Sequence, residues 1–348
     1  NRDGLPDPKS EAGRIIAATA LSLRAPVALL LQVPSQPLYD NLYEDDLIAY
    51  TFDKYLRGGD DDWPLLLPMV KSATSAMDAL QALAGKGKLK TLAGAACQLE
   101  QFVVGGASKR GWTTWLTAAV DKRVCGLAPS VIDVLNMAAQ MRHQRKSYGA
   151  FSEKIEPYTS RNIMKRLETP RGNLLRKVVD PFEYIERLKQ PKLMLLGTND
   201  PYWTADSAQL YFPDLKGPKA LYYLPNASHG LGLGVLPTLH AFLLSTLNGK
   251  QLPQLETKLV DGNLKVSWKG KGSAELWSAT SAIRDFRKAR WSSTSLEGEG
   301  SVVVAPRSPK SGWSASYVTV TFPPLRSVDA PYKVSTLIRV LPERFPHE

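Results

Sequence analysis

The chain has 348 residues, 43% of them hydrophobic and 22% charged; this length exceeds one ordinary core, and the balance excludes an intrinsically disordered chain. No run approaches the roughly 20 apolar residues that span a bilayer, the nearest being residues 27–33, so no stable membrane insertion is expected. The formal net charge of +11 is dispersed. Its densest groups, Lys86, Lys88 and Lys90 and then Arg142, Arg145 and Lys146, lack interleaved aromatic residues and read as solvated faces, so no nucleic-acid partner is expected. Cys97 and Cys125 sit among small apolar residues as free thiols usually do, with one disulfide between them left open. No HExxH or CxxC spacing occurs, so neither a metal nor another cofactor is expected.

Residues 10–23, rich in alanine and leucine behind Ser10 as N-cap, predict a helix that ends before Pro26. Residues 27–33 (VALLLQV) are continuously apolar and closed by Pro34, the pattern of a strand buried on both faces of a parallel sheet. Helices are predicted over 44–56 and 64–84, separated by the loop GGDDDW. A strand over 101–105 passes through a glycine pair into the amphipathic helix SKRGWTTWLTAAV, and a second strand covers 124–129. Residues 131–187 are mostly helical but broken at Pro157, Pro170 and Pro181, long enough to form a cap over a site. Strand 192–196, helix 205–211, strand 220–224 and helix 236–247 continue an alternation that implies right-handed crossovers and a mainly parallel sheet.

Beyond Gly249 the hydrophobic period becomes two, as in Leu264, Val266 and Trp268 or Val318, Val320 and Phe322, with turns at short intervals. The expected organisation is an α/β-hydrolase-type catalytic domain over 1–250 with a helical cap at about 131–187. An immunoglobulin- or fibronectin-like β-sandwich is expected over 251–348.

The chemistry-bearing segment is Gly105-Gly106-Ala107-Ser108-Lys109-Arg110-Gly111, between strand and helix. A nucleophilic serine needs a sharp turn there with small neighbours, which pushes its hydroxyl out at the sheet end; Gly111 stands one place later than G-x-S-x-G requires. In chain order an orienting carboxylate and a base should follow, each after a later strand. Asp200 in GTNDP follows strand 192–196, and His229 in PNASHG follows strand 220–224. The other histidines fall in helical patterns (His143, His240) or at the end of the sequence (His347). Asp133 is an alternative acid, whereas Asp206 reads as a first-turn helix residue.

The amide of Lys109, at the helix start, is the expected oxyanion donor. The second donor normally comes from a loop after a strand upstream of the first helix. The sequence opens nine residues before that helix, so upstream strands are expected to be missing and Asn1 to Gly4, with Asn1 as donor, to be the remnant of that loop; Gln32 to Gln36 is the alternative. Lys109 and Arg110 could attract an anionic substrate. Arg110, Tyr202 and Trp203 are candidate substrate-binding residues, while Trp112 and Trp115 at helical spacing read as core.

Several stretches resemble the PhoPQ-activated pathogenicity-related protein family, a branch of the α/β-hydrolases: QVPSQPL (32–38), EDDLIAYTFDKYLRGGDDDWPLLLPM (44–69), GASKRGWTTWLTAAVDKRV (106–124), GTNDPYWTADS (197–207), YLPNASHGL (223–231) and WSATSAIRDFRKARW (277–291). The resemblance implies the fold, a triad at Ser108, Asp200 and His229, an upstream glycine-rich loop and export across the membrane, hence a secreted or periplasmic location; it implies no substrate. The SKRG arrangement is also similar to the nucleophile pattern of glucuronoyl esterases, which favours a carbohydrate ester or another anionic ester. The leading expectation is a serine esterase acting on a small-molecule or carbohydrate ester. A prolyl-oligopeptidase-like peptidase and a non-catalytic binding or signalling protein on a hydrolase scaffold are the alternatives, and a protein partner of the β domain stays unknown.

Overall fold

A computed structural model describes residues 9–90 and 94–348. The first quarter of the chain carries three helices: α1 (Glu11–Leu23), α2 (Glu44–Leu56) and α3 (Leu66–Gly85). Ser10 caps α1, its side chain accepting a hydrogen bond from the Gly13 amide at 3.1 Å. Three acidic residues, Glu44, Asp45 and Asp46, open α2, where the positive end of the helix dipole favours them.

Strand and helix then alternate. β1 (Phe102–Ala107) leads into α4 (Lys109–Val120), followed by β2 (Val124–Ser130), β3 (Lys192–Gly197), β4 (Lys219–Leu224) and α9 (Leu236–Leu247). The four strands pair in parallel in the order β1-β2-β3-β4, an α/β-hydrolase-type sheet. Between β2 and β3 lies the helical cap: α5 (Met137–Tyr148), α6 (Glu156–Thr159), α7 (Ile163–Arg166) and α8 (Pro170–Val179). Arg166 pairs with Asp53, Arg171 donates to the Tyr55 carbonyl at 2.6 Å, and the Trp112 indole donates to the Val179 carbonyl at 2.6 Å. These bonds pin the cap to α2 and α4, and α4 is buried along nearly its whole length.

Two sequence expectations change. Residues 27–33 form no strand: Leu29 and Leu30 stay about half exposed, and no strand pairs with the segment among the described residues. Apolar character alone cannot make a strand without a ladder partner for its backbone groups. The helix expected over 205–211 is two 3-10 turns, Ser207–Leu210 and Phe212–Asp214, because Pro213 supplies no amide to extend a helical ladder.

The C-terminal strands are antiparallel: β5 (Glu256–Val260), β6 (Asn263–Ser267), β7 (Ser273–Ser281), β8 (Ser292–Leu296), β9 (Ser301–Val304), β10 (Trp313–Phe322), β11 (Tyr332–Ser335) and β12 (Arg339–Leu341). They form one sheet of order β11-β10-β7-β8, with β12 also on β10, and another of order β5-β6-β9, consistent with a β-sandwich. Val266, Trp268, Val318, Val320 and Phe322 are buried, as the period-two pattern requires. Their cluster also takes in Leu193, Leu195 and Tyr222 of the parallel sheet and Phe242 of α9. The opposite cluster joins Trp115, Leu127 and Met194 to Trp291, Tyr317 and Ile338. Both faces of the parallel sheet thus share apolar cores with C-terminal residues.

Leu127 lies on β2 in the middle of this arrangement and is fully buried. Leu127→Ala should cost about 2–5 kcal/mol from lost burial and the residual cavity; urea denaturation monitored by tryptophan fluorescence measures it.

Candidate active site

Ser108 occupies the one-residue turn between β1 and α4 at φ 56°, ψ −129°, a conformation that costs of order 1–3 kcal/mol in a residue other than glycine. Its amide donates to the Ser130 carbonyl at 2.9 Å, and its carbonyl accepts from the Trp112 amide at 3.0 Å, tying the turn to both strand end and helix. The flanking glycines explain how so tight a turn closes. A Cβ on Gly106 would lie 2.6 Å from the Arg110 carbonyl oxygen, and one on Gly111 would lie 2.7 Å from Ile132 and 2.9 Å from the Gly106 oxygen. Gly111, one place later than the usual spacing, is therefore where α4 touches β1 and the end of β2. As first residue of α4, Lys109 presents an amide that has no acceptor within the helix.

Asp200 and His229 stand in the loops after β3 and β4. Gly197 makes their approach possible, since a Cβ there would lie 2.5 Å from the carbonyl oxygens of both Ala227 and Ser228. The Asn199 amide donates to the Ala227 carbonyl at 3.0 Å, and the Asn226 amide donates to the Thr198 hydroxyl at 2.8 Å. So joined, the loops bring His229 Nδ1 to 2.8 Å from Asp200 Oδ2, while Asp200 Oδ1 accepts from the Tyr202 amide at 2.9 Å. The Tyr202 ring lies against the imidazole, centroids 4.3 Å apart. His229 Nε2 is buried without a hydrogen-bond partner, and the imidazole and Ser108 line the same cavity. That cavity, about 60 Å3, is walled mainly by apolar side chains of α4, the end of β2 and the cap, and Tyr202 and Trp203 border it.

The two cations beside the serine are already matched. Lys109 Nζ lies 2.7 Å from Glu44 and 3.6 Å from Asp45. Arg110 makes a bidentate pair with Glu44 at 2.5 and 2.9 Å and donates to the Val33 carbonyl at 3.0 Å. Hydrogen bonding from Arg110 above all holds the Glu44 carboxyl well below the usual carboxylate range. Tyr158 and Tyr202 both donate hydroxyls to Asp45, at 3.1 and 3.5 Å. Gln36 binds Glu44 through its side chain and accepts from the Glu44 amide at 2.9 Å. Glu44, Asp45 and Tyr158 carried no chemical motif in the sequence; their role exists only because α2 and the cap meet at the N-terminus of α4. Asn1, the expected second oxyanion donor, lies outside the described residues.

The other titratable candidates stand apart. Asp133 is buried and accepts from the Tyr211 hydroxyl at 2.5 Å, so it is Asp200 that bonds His229. Asp206 is buried between His143 Nε2 at 2.8 Å and Arg284 at 2.6 Å. Cys97 and Cys125 are free thiols, and among the described residues no cluster of His, Cys, Asp or Glu could hold a metal. Burial pushes the Asp133 carboxyl up to about 7. A carboxyl raised on folding binds its proton more tightly in the folded chain, so its contribution is present at low pH and is lost as pH rises through about 7. Asp133→Asn keeps an acceptor for Tyr211. It should melt close to the parent near pH 4 and several degrees above it at pH 8, in thermal scans across that range.

The loop after β7 braces both strand-end loops, a role that composition gave no reason to expect. The Asn199 side-chain amide faces the carbonyls of Phe286, Arg287 and Ala289 at 3.2, 3.2 and 2.7 Å. Asn226 exchanges two bonds with the Trp291 backbone, at 3.0 and 2.8 Å. Asn199→Ala should cost about 1 kcal/mol by leaving partly buried carbonyls unpaired, and should speed hydrogen exchange in both 197–203 and 283–291. Unchanged exchange in the second segment would show that the brace does not depend on Asn199.

The profile of a family described as PhoPQ-activated pathogenicity-related protein matches residues 4–287. The chain is similar to autocrine proliferation repressor protein A of Dictyostelium discoideum, 37% identical over 210 residues that make up 58% of this chain and 41% of that protein; it thus spans less than half of the relative's length. Among solved structures it is similar to acetyl xylan esterase 1 from Thermoanaerobacterium sp., with 16% identity, 61% of each chain covered and a TM-score of 0.37. It is also similar to a puromycin-hydrolyzing peptidase of Mycobacterium tuberculosis, with 21% identity, 51% of this chain and 25% of that one covered, and a TM-score of 0.38.

Proposed function

The chain belongs to the PhoPQ-activated pathogenicity-related protein family, and from that premise we propose that it is a serine hydrolase that cleaves carboxylic esters through Ser108, His229 and Asp200. The observation that carries this reading is the imidazole of His229. Its Nδ1 is engaged by Asp200 at 2.8 Å while its buried Nε2 has no partner, in a cavity that Ser108 shares. A histidine that donates from Nδ1 keeps the Nε2 lone pair free, which is the tautomer a general base needs.

Ser108 Oγ attacks the ester carbonyl as His229 Nε2 takes its proton, and Asp200 stabilises the imidazolium that forms. The Lys109 amide, at the positive end of α4, donates to the oxyanion. Collapse of the tetrahedral intermediate breaks the bond to the alcohol, which leaves with the proton from His229. Water, deprotonated by the same imidazole, then releases the acid from Ser108. This chemistry draws on the chain's own side chains and backbone. The remainder of the proposal follows the sequence reading: a catalytic unit over 1–250, a β-sandwich unit over 251–348, and export across the membrane. Among the described residues no helix is long and apolar enough to cross one.

A fluorophosphonate probe should label the chain at Ser108, and Ser108→Ala should abolish labelling and lower kcat on p-nitrophenyl acetate by about 10⁴-fold or more. Asp200→Asn should lower kcat on the order of 10⁴-fold, through the wrong imidazole tautomer. Equal signal from parent and Ser108→Ala would point to a non-catalytic scaffold, and preference for p-nitroanilides over the matching esters would point to a peptidase.

A further inference from the structure

Resting on the hydrolase reading, we infer that the acyl group this site accepts is short, apolar and uncharged, on the order of two to four carbons. The cavity beside Ser108 measures about 60 Å3, room for roughly four water-sized groups at about 15 Å3 each. Its walls are Trp112 of α4, Ile132 after β2, Met137 and Met141 of α5, Met164 of α7 and Trp203 after β3. Trp112, Ile132, Met137 and Trp203 are buried, so the space is set by packed side chains.

The two halves of an ester reach different surroundings. The alcohol takes its proton from His229 Nε2 at the edge of the recess and must leave for solvent. The acyl part stays bonded to Ser108 until water releases it, so it is the half that occupies the apolar recess under the cap.

Charge balance argues against a carboxylate on that acyl group. The two cations at the elbow, Lys109 and Arg110, face the two carboxylates Glu44 and Asp45 across bonds of 2.5 to 3.6 Å. Of these four only Lys109 and Asp45 border the cavity, and they already pair with each other. An anionic acyl group would be stripped of water among methionine and tryptophan side chains, with the Asp45 carboxylate on the wall and no unmatched cation of this set to receive it. On this inference the charges of Lys109 and Arg110 hold α2 and residues 33–44 against the nucleophile turn in place of recruiting an anionic ester.

Saturated p-nitrophenyl esters of two to twelve carbons, with the p-nitrophenyl monoester of succinate as the anionic arm, test this on the chain with Ser108 labelling measured in parallel. Expected are a maximum in kcat/KM at or below four carbons, a drop of at least about tenfold by eight, and a value for the succinate ester at least about 100-fold below that for butyrate. Met164→Ala and Met141→Ala, which enlarge the recess from the cap, should move the maximum to longer chains, by about one to two carbons for each thioether removed. Labelling at Ser108 with a maximum at eight carbons or more, or with succinate turned over as well as butyrate, overturns the inference and leaves the hydrolase reading standing. Absence of both labelling and turnover of every ester overturns the hydrolase reading, and the inference with it.

Discussion

The left-handed backbone of Ser108 is the constraint on which the site depends. A side chain at φ 56° is tolerated only where its surroundings over-determine it, and here they do. The amide is held by β2, the carbonyl by α4, and Gly106 and Gly111 remove the Cβ atoms that would push helix and strands apart. The cost of the turn is met by the burial of α4 between the sheet, the cap and the first helices. In this turn Ser108 borders the cavity that His229 also lines, and the first amide of α4 lacks an acceptor within the helix.

Around that turn, polar groups act as fasteners. Glu44 spends its carboxylate on Lys109 and Arg110, which locks the start of α2 to the start of α4. The two cations that follow Ser108 in the sequence are thus ion-paired to the start of α2. Asp45, receiving the Tyr158 and Tyr202 hydroxyls, links α2 to the cap and to the loop that carries Asp200. The floor of the site and its lid are therefore joined through one pair of adjacent carboxylates.

A second set of fasteners comes from the opposite end of the chain. The loop after β7 satisfies Asn199 and Asn226, one in each strand-end loop, and Arg284 reaches Asp206 while Arg287 stacks on Tyr148 of α5 at 4.4 Å. With Trp291 and Tyr317 in the same apolar cluster as Trp115, the antiparallel layer packs as part of the wall that keeps the Asp200 and His229 loops in register. It follows that the geometry of Asp200 and His229 is coupled to residues beyond 280, although nothing in their chemistry is catalytic.

The sequence by itself determined the alternation of β1, α4, β2, β3, β4 and α9, because parallel strands and the helices between them leave short apolar runs and 3.6-residue periods that local reading detects. It also determined the period-two strands after residue 250, and the strand-end positions of Ser108, Asp200 and His229, since turn chemistry and chain order mark them. Tertiary structure alone decided what touches what. Among the described residues it left 27–33 outside any strand, gave Lys109 and Arg110 to Glu44, engaged Asp133 with Tyr211 and Asp200 with His229, and set the small apolar recess from segments far apart in the chain. Those outcomes depend on distances between groups far apart in the chain, and no local pattern of residue types encodes them.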